Sequence, residues 1–214
     1  MIAHRGASAH APENTLEAFD LALEQGADVL ELDVRCPTGR DMVCVHDPPG
    51  DGAPAAPCLD AVLGRYGTRT RYLVDLKDPA PAWERRVVAA LHRHGVTDRA
   101  MVQSFDLAAL GRLRAHAPAL RIAALYRRAD SVGLDPAAVP PFACAVGVHH
   151  PNVDARFVAG ARARGLAIHP WTVDDADEAA RLLALGVDAV ITNAPDVIVR
   201  AAAAARRPPG PPAC

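Results

Sequence analysis

Apolar residues along the chain alternate between two spacings, one typical of buried strands and the other typical of amphipathic helices. Short apolar runs that end at charged or turn residues predict strands at 1–4, 28–34, 72–76, 100–103, 122–125, 144–148, 167–171 and 189–192. Apolar positions at helical spacing predict helices at 13–26, 59–66, 82–94, 107–116, 155–164, 176–185 and 196–205. A further short strand is predicted at 42–46, and residues 129–141 predict one helical turn followed by a proline-rich loop.

The regular alternation of strand and helix predicts a parallel sheet whose strands are joined by right-handed helical crossovers. Eight such units fit a closed barrel, and 214 residues lie near the lower limit for that architecture. An open doubly wound sheet is the alternative, but its phosphate-binding pattern G-x-G-x-x-G is absent after the first strand. We therefore predict a compact α/β fold, the (β/α)8 TIM barrel, as one domain over residues 1–206. Residues 207–214 are predicted to form a proline-rich flexible tail.

Composition and charge restrict the possible binding partners of the protein, but they say little about its fold. The net charge of −2 gives no reason to expect a nucleic acid partner, and no apolar run is long enough for stable membrane insertion. The printed N-terminus has no signal-peptide pattern, so we expect a cytoplasmic location. The five cysteines lack paired C-x-x-C spacing, which argues against a disulfide framework and against a structural zinc site. None of these features predicts the oligomeric state.

Residues with catalytic chemistry gather at the ends of the first predicted strands, where a barrel of this type places its active site. They are His4, Arg5, Glu31, Asp33, His46, Asp75 and Lys77. Glu31 and Asp33 lie two residues apart on one strand, so both carboxylates point to the same side. Asp75 and Lys77 have the same spacing on the next barrel strand. We therefore expect these side chains to meet at one end of the barrel.

Three carboxylates brought close together repel one another unless a cation neutralises them. Oxygen ligands favour a hard divalent ion, so we expect one Mg²⁺ or Ca²⁺ ion, with Mn²⁺ as a further option. Arg5 and Lys77 suit an anionic substrate, whereas His4 and His46 can exchange protons near neutral pH. This combination indicates phosphoryl chemistry. Each residue also has an ordinary structural explanation, such as a surface ion pair between Asp75 and Lys77.

Several motifs together resemble the glycerophosphodiester phosphodiesterase family in their order and spacing. They are His4-Arg5-Gly6, Pro12-Glu13-Asn14-Thr15, Glu31-Leu32-Asp33-Val34, Thr38-Gly39, His46-Asp47, Gln103-Ser104-Phe105, Trp171-Thr172-Val173, Gly186-Val187-Asp188 and Ile191-Thr192-Asn193-Ala194-Pro195. The resemblance covers nearly the whole chain, and the series HRG, PENT, ELDV and HD is highly specific.

The resemblance implies a barrel enzyme that hydrolyses glycerophosphodiesters, its small-molecule substrates, to glycerol 3-phosphate and an alcohol. It also implies roles for individual residues: metal binding for Glu31 and Asp33, acid–base catalysis for His4 and His46, phosphate contact for Arg5, and a place in the substrate pocket for Trp171. We expect Asp75 to be a third metal ligand and Lys77 a second phosphate-binding residue.

The chain departs from the family pattern in two places. The family usually has Glu-x-Lys on the third barrel strand, whereas this chain has Asp75-Leu76-Lys77, with a carboxylate one methylene nearer the backbone. The metal must then shift, a water must intervene, or the site is weakened. In addition, the family's small insertion after the His-Asp motif is reduced to a loop at 47–57. We expect this loss to open the pocket to bulkier diesters.

Two alternatives stand beside hydrolysis of glycerophosphodiesters. A lysophospholipid phosphodiesterase of the same superfamily would use the open pocket, although the loop at 47–57 is only weakly apolar. A non-catalytic barrel that binds phosphoesters would result if Asp75 abolished turnover. A protein that only binds its ligand has no need of two histidines at the site, which argues against this second alternative.

Overall fold

The computed structural model describes residues 1–37, 41–48 and 56–205, which form a ring of eight parallel strands and one short antiparallel strand. The strands are β1 (Ile2–Ala3), β2 (Val29–Arg35), β3 (Val43–Cys44), β4 (Arg71–Leu76), β5 (Ala100–Ser104), β6 (Arg121–Leu125), β7 (Ala145–His149), β8 (Ala167–Trp171) and β9 (Ile191–Thr192). Thr38 and Gly39, residues 49–55 of the predicted loop, and the predicted tail at 207–214 lie outside the described residues.

Neighbouring strands follow the order β8, β7, β6, β5, β4, β2, β1 and β9. The ring closes between β8 and β9, where the Val173 N–H donates to the Ile191 carbonyl at 2.8 Å and the Asp188 N–H to the Ile168 carbonyl at 3.2 Å. The fold is therefore the predicted (β/α)8 barrel, and the open doubly wound alternative is wrong.

The predicted strand at 42–46 is shorter than expected, because only the two residues of β3 pair with β2. β3 runs antiparallel to β2, with Cys44 opposite Val34. It lies outside the ring, so it extends one strand at the rim of the barrel.

Seven α-helices surround the ring within the described residues. They are α1 (Leu16–Glu24), α2 (Leu59–Tyr66), α3 (Pro81–Arg93), α4 (Leu107–His116), α5 (Ala155–Ala163), α6 (Ala176–Leu185) and α7 (Pro195–Ala205). Side-chain oxygens of Thr15, Asp106, Asp154 and Asp175 cap α1, α4, α5 and α6, because each accepts a hydrogen bond from an N–H of the first turn. The connection from β6 to β7 holds only a 3₁₀ turn at Pro136–Ala138, in agreement with the single helical turn predicted there.

Apolar side chains pack in two layers, one between the strands and the helices and one inside the ring. The inner layer consists of Ile2, Leu73, Met101, Ala123, Ala145 and Ile191. A cavity of about 170 Å³ lies at the end of the barrel where the strands finish, and another of about 260 Å³ lies where they begin. We call these ends the C-terminal mouth and the N-terminal mouth. In the described part of the chain, no helix is long and apolar enough to cross a membrane.

Candidate active site

The turn after β1 places His4 and Arg5 at the C-terminal mouth. The His4 N–H donates to the carbonyl of Thr192 on β9 at 2.8 Å, which holds the turn against the barrel. Arg5 has a left-handed backbone with φ 57°, and its N–H donates to Glu31 Oε2 at 2.9 Å. This conformation is uncommon for a residue with a side chain, and it is often found where function constrains the backbone.

Gly6 allows helix α1 to pack directly against this turn. Its φ is 85°, and a Cβ atom at this position would lie 2.6 Å from the carbonyl carbon of Ala18 and 2.7 Å from its oxygen. Both the left-handed conformation and the close approach require glycine. The third residue of the His-Arg-Gly motif thus has a packing role that supports the first two.

Glu31 and Asp33 on β2 and Asp75 on β4 form an acidic cluster, in which ligand oxygens of the three residues lie within 4.8 Å of one another. The strand register places Asp33 beside Asp75, so these two carboxylates meet across neighbouring strands. All three residues are buried, and none exposes more than 3% of its surface. Buried carboxylates need compensation by hydrogen bonds or by positive charge.

Two cations supply part of this compensation. Lys77 Nζ lies 2.6 Å from Asp75 Oδ2 and 3.0 Å from Asp33 Oδ1, and Arg5 Nε lies 2.9 Å from Asp33 Oδ2. Only 12% of the Lys77 side chain and 4% of the Asp75 side chain are exposed, so the surface ion pair considered as an alternative is wrong. Arg5 also pairs with the half-exposed Glu13 at 2.7 Å.

Asn14 is a member of the site that residue-by-residue reasoning overlooked. Its Nδ2 donates to Asp33 Oδ2 at 2.9 Å, while its Oδ1 accepts from the Asp33 N–H at 3.1 Å. The Asn14 N–H in turn donates to the Arg5 carbonyl at 3.0 Å. Asn14 therefore joins the β1 turn to the acidic cluster. Its position in the Pro-Glu-Asn-Thr motif was the feature of the sequence that could have indicated a role at the site.

The three carboxyl groups have different proton affinities. Burial, reinforced by the charges of Asp33 and Asp75, raises the pKa of Glu31 well above its usual range. Burial also raises the pKa of Asp75 to about 6, although Lys77 opposes the shift. For Asp33 the effect of burial is outweighed by Lys77 and Arg5, which hold its pKa below the ordinary value. The protein therefore compensates Asp33 well and leaves Glu31 and Asp75 under-compensated.

The acidic cluster fits a hard divalent cation. Oδ1 of Asp75 is buried and has no hydrogen-bond partner among the described residues, whereas the buried Oδ1 of Asp33 lies 3.0 Å from Lys77 Nζ. Buried oxygens without donors are uncommon in folded proteins, and such carboxylate oxygens are the ligands that Mg²⁺ and Ca²⁺ prefer. Glu31, Asp33 and Asp75 could therefore hold such an ion together.

His4 is oriented by a chain of polar groups that starts at the far end of the sequence. Its Nδ1 lies 2.7 Å from Asn193 Oδ1, and Asn193 Nδ2 donates to Asp174 Oδ2 at 2.7 Å. Because a carboxylate only accepts, the amide of Asn193 must present its oxygen to His4. Nδ1 then carries the proton, and Nε2 is left free for the cavity. Burial and the charge of Arg5 lower the pKa of His4.

His46 follows β3 and lines the same cavity as His4. Its Nδ1 lies 3.0 Å from Asp47 Oδ1, and its carbonyl accepts a 2.6 Å hydrogen bond from Arg35 Nε. About a third of its side chain is exposed, which distinguishes it from the more buried His4. The cavity is thus bordered by one buried and one solvent-accessible imidazole.

Aromatic side chains form one side of the cavity. Trp171 at the end of β8 packs edge to face against Phe105, with ring centroids 6.1 Å apart, and lies 5.6 Å from the ring of His149. Arg127 lies over the Phe105 ring, 4.8 Å from its centroid. Of the eight predicted site residues, seven line the cavity, and the eighth, Asp33, contacts it through Arg5 and Lys77.

Comparison with known proteins supplies the family. The sequence profile of the "Glycerophosphoryl diester phosphodiesterase family" matches residues 4–65 and 73–197. The chain belongs to this family. As a family member it is a phosphoric diester hydrolase, in agreement with the resemblance of its motifs.

Two curated relatives cover almost the whole chain. The Bacillus subtilis protein named "Putative glycerophosphodiester phosphodiesterase YhdW" is 31% identical over 94% of this chain and 96% of its own length. The "Glycerophosphodiester phosphodiesterase" of Caldanaerobacter subterraneus subsp. tengcongensis is 28% identical over 93% of this chain and 96% of its own.

A solved structure is similar in fold and in sequence. The phosphodiesterase of Oleispira antarctica, in complex with its product sn-glycerol-3-phosphate, is 26% identical. It superposes with a TM-score of 0.81 and covers 94% of this chain and 96% of its own. The two proteins therefore share the barrel along nearly their whole length.

Proposed function

We propose that the protein hydrolyses glycerophosphodiesters to sn-glycerol 3-phosphate and an alcohol, in a reaction that depends on a divalent cation. The observation that carries this proposal is the acidic cluster beside two cations and two histidines in one cavity. The product bound in the Oleispira antarctica relative supports a glycerophosphodiester as the small-molecule substrate. The cytoplasmic location expected from the sequence stays a prediction.

We assign the cation to Glu31, Asp33 and Asp75. When bound there, it would neutralise the cluster and supply positive charge to a phosphoryl oxygen. Mg²⁺ and Ca²⁺ both suit three carboxylates, and Mn²⁺ is a third option. The buried Oδ1 of Asp75, which has no hydrogen-bond partner among the described residues, supports this assignment.

His4 and His46 would carry the proton transfers. In the first step, a glycerol hydroxyl of the substrate attacks phosphorus and gives its proton to one histidine, while the bond to the leaving alcohol breaks. The other histidine donates a proton to that alcohol. Water then opens the resulting cyclic phosphate, with the two proton transfers reversed.

Arg5 and Lys77 would hold the phosphate, and Trp171 would pack beside the glycerol. Both cations line the cavity, and both are already ordered by the acidic cluster. A bound cation would share the carboxylates with Arg5 and Lys77 and leave these side chains available to the substrate. Phe105 extends the aromatic surface on which an uncharged part of the substrate can pack.

A turnover assay tests the proposal. The purified chain is incubated with a panel of glycerophosphodiesters and lysophospholipids, with EDTA and after restoration by Mg²⁺, Ca²⁺ or Mn²⁺. We expect hydrolysis of glycerophosphodiesters that EDTA abolishes and a divalent cation restores. Preferential hydrolysis of lysophospholipids would favour the lipid alternative, and binding without turnover would favour the non-catalytic barrel.

A further inference from the structure

The N-terminal mouth of the barrel holds a cluster of arginines that the phosphodiesterase reaction does not use. Arg71 begins β4, Arg99 directly precedes β5, and Arg121 begins β6. All three side chains line the cavity of about 260 Å³ at this mouth. Within the described residues, no hydrogen bond or ion pair reaches their guanidinium groups.

The strand register brings these positive charges together. Tyr72 is paired with Ala100, so the preceding residues, Arg71 and Arg99, stand side by side on neighbouring strands. Arg121 is paired with Met101, two residues beyond Arg99. Like charges on neighbouring positions destabilise a sheet unless something compensates them.

The protein supplies little negative charge at this mouth. Asp188 is the single acidic residue among the described residues that line this cavity, and its Oδ2 already accepts a hydrogen bond from the Ile168 N–H at 2.8 Å. Asp28, which directly precedes β2, does not line this cavity and pairs with the terminal amine of Met1 at 2.5 Å. Three cations thus face one partly engaged carboxylate.

His169 provides an independent sign of a missing partner. It lies on β8, lines the same cavity and exposes only 7% of its surface. Its Nδ1 is buried and has no hydrogen-bond partner among the described residues. Burial lowers its pKa to about 4, and the charge of Arg121 acts in the same direction. In the tautomer of the neutral ring that carries its proton on Nδ1, this buried N–H is a donor without an acceptor, which is unfavourable and which a bound anion would correct.

We propose that the N-terminal mouth is an anion site, in which Arg71, Arg99, Arg121 and His169 bind a phosphate group. Three guanidinium groups that approach from three strands suit a tetrahedral ion with several acceptor oxygens, because arginine binds phosphate through paired N–H donors. The cavity is several times larger than the roughly 30 Å³ that one water molecule takes in the liquid, so it has room for such a group. The phosphate can belong to inorganic phosphate or to a phosphomonoester.

The side chains of His169 and His4 make the two mouths separately observable. Each contributes ring resonances to the NMR spectrum of the isotopically labelled full chain, and the two rings line different cavities. Inorganic phosphate is titrated first, and sn-glycerol 3-phosphate is titrated in a second series. Sodium chloride at matched ionic strength controls for general screening.

We expect saturable shifts of the His169 ring resonances with phosphate and none of similar size with chloride. Arg99→Gln and Arg121→Gln should each weaken this binding about tenfold, the equivalent of one charge-assisted hydrogen bond. Arg99→Lys, which keeps the charge and loses the paired donors, should fall between Arg99→Gln and the unaltered chain. Arg85→Gln, at an exposed position of α3 away from this cavity, is the matched control and should change nothing.

A response to sn-glycerol 3-phosphate would place a phosphomonoester in the site, and a response to inorganic phosphate alone would assign it to the free ion. The proposal is overturned if His169 does not respond to either ligand, responds equally to chloride, or responds identically in the Arg99 and Arg121 variants. Loss of the phosphodiesterase proposal would leave these readings unaffected, because they do not involve the C-terminal mouth.

Discussion

The two mouths of the barrel carry opposite charge and compensate it to different degrees. At the C-terminal mouth, two of the three buried carboxylates, Asp33 and Asp75, pair with Arg5 or Lys77 at distances of 2.6–3.0 Å. At the N-terminal mouth, three arginines line a cavity with one carboxylate, and their guanidinium groups form no ion pair within the described residues. One mouth is short of positive charge and the other is short of negative charge.

The charged side chains of the two mouths differ in burial, and this difference indicates how strongly each mouth depends on its ligand. A charge removed from water interacts strongly and is costly when unpaired, whereas an arginine that reaches solvent is hydrated and screened by salt. The acidic cluster is almost fully buried, but Arg71 and Arg121 are exposed. We therefore expect substitutions at the C-terminal mouth to have large effects and those at the N-terminal mouth to have small ones.

Glu31→Gln should have the largest effect. Gln keeps the size of the side chain but removes the charge, so the variant should lose metal binding and activity together. We expect a rate loss of about 10⁴-fold, the equivalent of roughly 5 kcal/mol of transition-state stabilisation. Metal titration and turnover on the same sample provide the measurement. Full activity in a metal-stripped sample of the unaltered chain would end the metal-dependent mechanism.

His4→Ala and His46→Ala should have the next largest effect on activity. Each substitution removes one proton transfer, so we expect each to lower kcat by about 10²- to 10⁴-fold. His10→Ala is the matched control, because His10 lies near the site and pairs with Asp196 outside the cavity. A loss below tenfold in both variants would exclude the two histidines as the acid–base pair. The rate of the unaltered enzyme should have a bell-shaped pH profile.

Substitutions of Asp75 test the role of the carboxylate that departs from the family pattern. Asp75→Ala should abolish or severely reduce metal affinity and activity. Asp75→Glu, which restores the longer reach, should retain or increase both, with the larger gain for Mg²⁺ because its geometry is stricter than that of Ca²⁺. Isothermal titration calorimetry with Mg²⁺ and Ca²⁺ measures the metal affinity of the unaltered chain and of both variants. Unchanged affinity in Asp75→Ala would remove this residue from the metal site.

The same carboxylate predicts a pH dependence for the metal-free protein. Well below pH 3.8, Asp75 is protonated in the folded and unfolded states and does not change the stability. As pH rises from 3.8 towards 6, the unfolded chain ionises first, so the folded state loses stability. Well above pH 6 the loss reaches its limit of about 3 kcal/mol. Urea unfolding with EDTA should detect this loss, Asp75→Asn should diminish it, and a divalent cation should reverse it.

Asn193→Ala should produce a smaller loss, because the imidazole remains and only its orientation relaxes. We expect kcat to fall about tenfold with little change in KM, the equivalent of one lost hydrogen bond to His4. Asp174→Asn should act in the same direction, since the amide of Asn193 can then turn over. Asp175→Asn is the matched control, because Asp175 caps α6 and does not contact Asn193. Equal effects of the two aspartate variants would contradict this role for Asp174.

Arg99→Gln should have the smallest effect and the opposite sign. Relief of repulsion from Arg71 should stabilise the protein by about 0.2–1 kcal/mol at low ionic strength. The gain should disappear in high salt or in saturating phosphate, because both compensate the arginines. Urea unfolding of both proteins at low ionic strength, in high salt and in saturating phosphate measures this gain. A destabilised variant at low salt would show that Arg99 has a partner at this mouth and would weaken the contrast between the two ends.

Most of the fold could be predicted because the barrel repeats a local pattern. The predicted bounds of α2, α4, α6 and β8 agree with the structure to the residue. The strand ends also indicated which side chains share a mouth. β3 was predicted too long, since the apolar run at 42–46 does not reveal how many of its residues find a partner on β2.

The hydrogen bonds and ion pairs that balance the charges within the site could not be predicted from the sequence. Asn193 and His4 are separated by 189 residues, so their contact depends on the pairing of the first strand, β1, with the last, β9. Lys77 pairs with both Asp33 and Asp75, and which of the two it contacts more closely depends on a difference of a few tenths of an ångström between the two distances. At the other mouth, Arg71, Arg99 and Arg121 each look like an ordinary charged residue at a strand start. Only the register places them together.

The contact between Gly6 and helix α1 has a consequence for how this protein can evolve. The atoms that exclude a side chain at position 6 include the carbonyl carbon and oxygen of Ala18, which every residue at position 18 would also have. No substitution in α1 can therefore make room. Over many generations the helix is free to exchange side chains, whereas position 6 has one permitted residue and no second mutation that releases it.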